Sequence, residues 1–113
     1  MKTRFDAERR ASRRLPVRGD ARVLLTPART FVAEAVDISE SGVCLTSPIE
    51  LAAGAWCHLQ IRIPSLPGPE ISVSGQVCFC IGHHGAYRVG VHCAQAESLA
   101  EAVERAKLGD RKS

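Results

Sequence analysis

Between Cys57 and Cys93, apolar and polar residues alternate at period two in three successive runs. In the first, Cys57, Leu59, Ile61 and Ile63 oppose His58, Gln60 and Arg62. In the second, Ile71, Val73, Val77, Phe79 and Ile81 oppose Ser72, Ser74, Gln76, Cys78 and Cys80; in the third, Tyr87, Val89, Val91 and Cys93 oppose Arg88, Gly90 and His92. Successive side chains of a strand point to opposite faces, so this pattern demands extended chain with one buried face. Gly75 falls on the apolar side of its run and predicts a bulge or sharp bend there. Three prolines and a glycine between Pro64 and Pro69 require a loop, and Ile81 to Gly85 reads as a hairpin connection. Trp56 and Phe79 are expected to serve the core.

Upstream, Val23-Leu24-Leu25 reads as a short strand closed by Pro27, Thr30 to Ile38 as a second, and Gly42 to Thr46 as a third after a turn at Ser39 to Gly42. Downstream the period changes. Leu99, Ala102, Val103 and Ala106 recur at helical spacing, with Gly109 as a stop signal. Glu97, Glu101 and Glu104 form a polar helix face, and Glu101 and Arg105 an i, i+4 pair. Six strands and one helix predict an all-β domain. It is an antiparallel six-stranded barrel over residues 17–94, with a C-terminal helix over 95–109 covering one open end.

The chain has 113 residues, 45% of them apolar, which suits a single domain with an ordinary core. No apolar run approaches the ~18 residues of a membrane span, and Met1 to Arg14 carries no apolar stretch for export, so a cytoplasmic location is expected. Five cysteines (Cys44, Cys57, Cys78, Cys80 and Cys93) are an odd number and read as free thiols. Charge is unevenly placed. Residues 1–22 hold eight Lys or Arg against three Asp or Glu, whereas the rest hold seven against nine. A basic flexible arm over 1–16, ending at Pro16, suggests an anionic partner; charge alone fits a solvated tail equally well.

The arm reads Arg9-Arg10-Ala11-Ser12-Arg13-Arg14-Leu15-Pro16, with overlapping arginine pairs four apart: Arg9 with Arg13 and Arg10 with Arg14. A guanidinium presents a planar fork of donors that matches phosphate oxygens as well as guanine O6 and N7. The turn Asp37-Ile38-Ser39-Glu40-Ser41-Gly42 supplies complementary groups. Asp37 accepts hydrogen bonds and suits the N1–H and N2–H of guanine, Ser39 has a hydroxyl to donate to a phosphate, and Gly42 permits a positive φ and close approach of a ligand.

In this order and spacing the two segments resemble the PilZ domain family, marked by R-x-x-x-R in an N-terminal loop and [D/N]-x-S-x-x-G downstream. Arg14-Leu15-Pro16-Val17, Gly42-Val43-Cys44-Leu45 and Tyr87-Arg88-Val89-Gly90-Val91 extend the resemblance over roughly residues 8 to 94. It implies a PilZ-like barrel that binds cyclic di-GMP without catalysis or cofactor, its arm wrapping the barrel as ligand arrives. The implied ligand-binding residues are Arg9, Arg10, Arg13, Arg14, Asp37, Ser39 and Gly42. Arg10 and Arg14 are the preferred register, because Leu15-Pro16-Val17 then follows as in the family. An extra arginine such as Arg9 is associated there with a stacked dimer of the ligand. A downstream protein partner, as in control of motility, is also implied.

Other chemistries fit less well. Cys78, Cys80, His83 and His84 lie close in sequence, but Cys-x-Cys-x-x-His-His is not a usual zinc spacing. No nucleophile elbow surrounds any cysteine or histidine. The alternative from another class is an adaptor whose barrel meets a partner protein without ligand. A nucleic-acid polymer on the basic arm lacks interleaved aromatics to stack on, Phe5 being the only ring. Polynucleotide binding would weaken steeply with salt, whereas a guanine-reading site would discriminate cyclic di-GMP from GTP; titrations in two salt concentrations separate the two.

Overall fold

Every alternating run forms a strand, and several strands outlast the alternation that announces them. The computed structural model describes residues 14–66, 68–94 and 97–112. The strands are β1 (Leu15–Thr26), β2 (Arg29–Ser39), β3 (Gly42–Ser47), β4 (Trp56–Arg62), β5 (Ile71–His83) and β6 (Ala86–His92), followed by α1 (Glu97–Lys112). They close into an antiparallel barrel in the order β1-β2-β3-β6-β5-β4. β1 extends well beyond the short strand expected at Val23 to Leu25. Its inward positions include Gly19 and Ala21, too small to register as hydrophobic alternation although both are buried.

Among the register shifts of the barrel, one on β2 and one on β5 set which side chains face the interior there. On β2, Ala33 and Ala35 are buried, and Ala35 pairs with Leu45 while Asp37 pairs with Cys44, so Val36 is an extra residue. The phase shifts there: Ile38 goes into the core and Asp37 turns out. On β5, Val77 pairs with Val91 and Phe79 with Gly90, leaving Cys78 as the extra residue. A bulge of this kind displaces every later side chain to the other face. The bulge therefore lies at Cys78 rather than at Gly75. Beyond it the expected phase is inverted: Cys80 packs on the core, while Ile81 is 59% exposed. Gly75 answers a packing demand instead, since a Cβ there would lie 2.6 Å from the His92 carbonyl oxygen and 2.7 Å from Cys93 Sγ.

The β5–β6 hairpin turns at His84 and Gly85, both with positive φ (48° and 79°), the twist that suits a two-residue connection. α1 buries Leu99, Ala102 and Val103 in the barrel core, and Arg105 meets Glu101 at 3.5 Å. It runs past Gly109, the expected stop, to Lys112; one glycine costs about 1 kcal/mol in a helix and does not by itself end it. Trp56, expected in the core, is 67% exposed on β4.

Among the cysteines, Cys44, Cys57 and Cys93 are buried and Cys78 is exposed. Burial pushes the Cys57 thiol up and Cys93 up to about 12. An unfolded thiol ionises near 9.0 while Cys93 stays protonated, so above that pH the unfolded chain binds fewer protons and stability falls. Urea midpoints should therefore decline from pH 9 towards 12, and disulfide-exchange reagents should label Cys78 first and the buried thiols only on unfolding. Gly75→Ala should destabilise by about 1–3 kcal/mol through overpacking, measured by thermal or urea unfolding.

Candidate functional site

The two bulges bring one row of residues to the outer face of the barrel. Pro16 of β1, Asp37 of β2, Cys44 of β3, Gly90 of β6 and Phe79 of β5 are successive partners across five strands. Without the extra residue at Val36, Asp37 would share the inward phase of Ala33 and Ala35. Phe79 lies against Gly90, where a Cβ would collide with its ring. The row thus carries an acid at one side, a thiol in the middle and a ring at the other.

Arg14 reaches the acid. Its Nη1 donates to Asp37 Oδ1 at 2.9 Å across 23 residues of sequence. The pair is open to solvent, with the Arg14 side chain 52% and the Asp37 side chain 24% exposed. An ion pair so exposed contributes only about 0–1 kcal/mol, so either member can exchange its partner at little cost. Beneath it, Cys44 is buried. Burial pushes its thiol up, the Asp37 carboxylate adds to that, and the Arg88 guanidinium opposes it.

Ser39 is 5% exposed, and its hydroxyl closes the turn. It accepts from the Ser41 N–H at 3.3 Å and donates to the Gly42 carbonyl at 3.5 Å. Gly42 does not use the positive φ expected of it; its backbone continues β3, paired with His92. Glycine is needed because a Cβ would stand 2.5 Å from the Val91 carbonyl oxygen. The Cys93 N–H donates to the Ser41 carbonyl at 2.8 Å, which ties the turn to the end of β6.

Arg14, Asp37, Ser39 and Gly42 are therefore gathered at one end of the β1–β2–β3 surface. Arg9, Arg10 and Arg13 lie outside the described residues. Sequence reading missed Cys44, Phe79 and Arg88 as neighbours of the motifs. Their place follows from the bulges and the β3–β6 register, which no local pattern encodes. The Cys78, Cys80, His83 and His84 group is divided by the bulge, with Cys78 outward and Cys80 Sγ accepting from the Leu51 N–H at 3.3 Å. Among the described residues no cluster of three or more His, Cys, Asp or Glu is disposed to hold a metal, and no helix is long and apolar enough to cross a membrane. A cavity of about 250 Å³ between the 64–70 segment and α1 includes none of the motif residues. The motif residues lie on an open strand face.

The PilZ domain family matches the chain over residues 8–107. Several solved structures share the fold, among them the following two. The Bacillus subtilis inhibitor of motility MotI/DgrA superposes with a TM-score of 0.72 at 15% identity, over 92% of this chain and 53% of that one. The chain thus spans about half its length. The PilZ domain of YcgR from Escherichia coli, solved with c-di-GMP, superposes with a TM-score of 0.63 at 15% identity, over 93% of this chain and 99% of that one. No curated protein matches.

The exposed geometry of Arg14 and Asp37 has a measurable consequence. A double-mutant cycle on Arg14→Ala and Asp37→Ala, read by urea unfolding, should return a coupling of about 0–1 kcal/mol.

Proposed function

The chain belongs to the PilZ domain family, and on that premise we propose that it is a non-enzymatic receptor for cyclic di-GMP that signals to a downstream partner. The observation that carries this reading is the Arg14–Asp37 contact, which joins the two motifs on an outward strand face. Asp37 accepts from the N1–H and N2–H of one guanine, a planar match for a carboxylate. Arg14 and Arg10 turn their forks to phosphate and to guanine O6 and N7. Phe79, at the far side of the same row, offers a ring for a base to pack on. Ser39 keeps the turn in shape, and its 3.5 Å bond to Gly42 is long enough to yield to a phosphate oxygen.

Ligand binding exchanges one set of partners for another. The carboxylate gives up a solvent-exposed guanidinium and gains two directional donors, while the arginines gain phosphate. Each charge-assisted bond contributes about 1.5–3 kcal/mol, and micromolar affinity requires about 8 kcal/mol. Three or four such bonds reach that figure after ordering the arm, which opposes binding. The ordered arm over the barrel face is the altered surface that a partner protein reads. The YcgR domain was solved with c-di-GMP and MotI/DgrA is an inhibitor of motility, so control of motility is the first output to examine.

Calorimetric titration with cyclic di-GMP, with GTP as control, tests the reading. Arg14→Ala, Arg10→Ala and Asp37→Ala should each weaken binding at least about tenfold, with stability little changed for Arg14→Ala. Two ligands per chain would support a stacked dimer held with the help of Arg9. Wild-type affinity in both arginine variants sinks the site assignment.

A further inference from the structure

The cavity between the 64–70 segment and α1 holds about 250 Å³. Its floor is apolar: Ile61, Ile63, Ile71 and Ala102 are buried, and Leu66 packs on the same core. Its rim is charged. Arg62 and Glu70 both line it and are exposed, in keeping with their place one residue from a buried strand position. Ile61 of β4 pairs with Ile71 of β5, so Glu70 falls across from Arg62 on the next rung. Opposite charges placed in this way attract and ordinarily meet. These two do not: neither forms an ion pair with another described residue. β4 ends at Arg62 and β5 begins at Ile71, and the prolines between them cannot extend the ladder. Arg105 borders the same cavity. Its guanidinium lies against the backbone at Gly68, where φ is 115° and a Cβ would stand 3.2 Å from Nη1. Two further acids are near without lining the cavity: Asp20 of β1, across from Arg62 on the side away from β5, and Glu101, 3.5 Å from Arg105.

We propose that this cavity is a second binding site, for a small zwitterion with an apolar side chain: a free aliphatic α-amino acid. The charges at the rim decide the class. A plain anion would be drawn to Arg62 and repelled by Glu70, with Asp20 and Glu101 adding to the repulsion; a plain cation would meet Arg62 and Arg105. An α-amino acid carries both charges on one carbon and answers both sides of the rim at once. Its carboxylate accepts from the guanidinium of Arg62, whose planar fork suits it, and its ammonium donates to the carboxylate of Glu70. The side chain then enters the apolar floor, where its removal from water favours binding. Size narrows the class further. Pockets for drug-sized ligands run from about 300 to 1,000 Å³, so about 250 Å³ suits leucine or valine and not a nucleotide. The cavity shares no residue with the two motifs, and this inference does not rest on the cyclic di-GMP reading.

The test uses the full chain, ¹⁵N-labelled and titrated with L-leucine while backbone amides are followed by NMR. Isocaproate, which lacks the ammonium, and isoamylamine, which lacks the carboxylate, are the matched probes. Leucine should shift amides of residues 61–71 and 102–105, saturating in the millimolar range. Each analogue forfeits one charge-assisted contact and should bind at least about tenfold more weakly. Arg62→Gln and Glu70→Gln replace exposed side chains, and the amide spectrum of each shows whether it is folded. Both should weaken leucine binding at least about tenfold. If either analogue binds as well as leucine, the cavity takes apolar groups without reading both charges, and the proposal falls. It falls equally if leucine produces no saturating shifts, or if the shifts lie away from these residues. Should one variant fail to fold, the other variant and the two analogues on the wild-type chain decide.

Discussion

The ladder between β3 and β6 is the contact on which the rest of the structure depends. Six consecutive pairs, from Gly42 with His92 to Ser47 with Tyr87, join two sequence-local sets of strands into one ring. Without it, β1–β2–β3 would be a three-stranded sheet and β4–β5–β6 another, still held along β1 and β4. Closure brings the Asp37 turn beside a strand some fifty positions later, and Val43, Leu45, Val89 and Val91 fill the interior behind the joint. Gly42 shows how tight that joint is. Its side chain is absent because the Val91 carbonyl oxygen occupies the space.

Much of this was legible in the sequence. Period-two alternation located β4, β6 and the first half of β5, turn residues located the bend after Ser39, and the change of period located α1. Paired motifs singled out Arg14 and Asp37, which the fold brings together. Hidden features share a cause: they depend on registers between distant strands. β1 was under-read because Gly19 and Ala21 are buried without being visibly hydrophobic. The bulges at Val36 and Cys78 came as an extra residue against a partner strand, which a single strand cannot reveal. Phe79 and Ile81 accordingly turned outward against the alternation, and Trp56 was placed by its position at the start of β4 rather than by its chemistry.

The bulges also explain how a rigid barrel hosts an open site. A regular strand has every second residue facing the core, so a functional acid and its neighbours must compete with packing for outward positions. One inserted residue on β2 settles that for Asp37 and one on β5 does so for Phe79. Both fall next to the same cross-strand row. The motif residues are therefore brought to one face by local irregularity, while every strand still sends apolar side chains to the core.

A ring with no open edge has a consequence for communication. Strands at an edge can recruit another chain through their unpaired amides and carbonyls, and many binding domains transmit signals by that addition. Here each of the six strands has a neighbour on both sides, and that grammar of backbone pairing is unavailable. On the proposed receptor reading, a partner would instead have to read contour and charge on the curved wall, where only side chains differ from one position to the next.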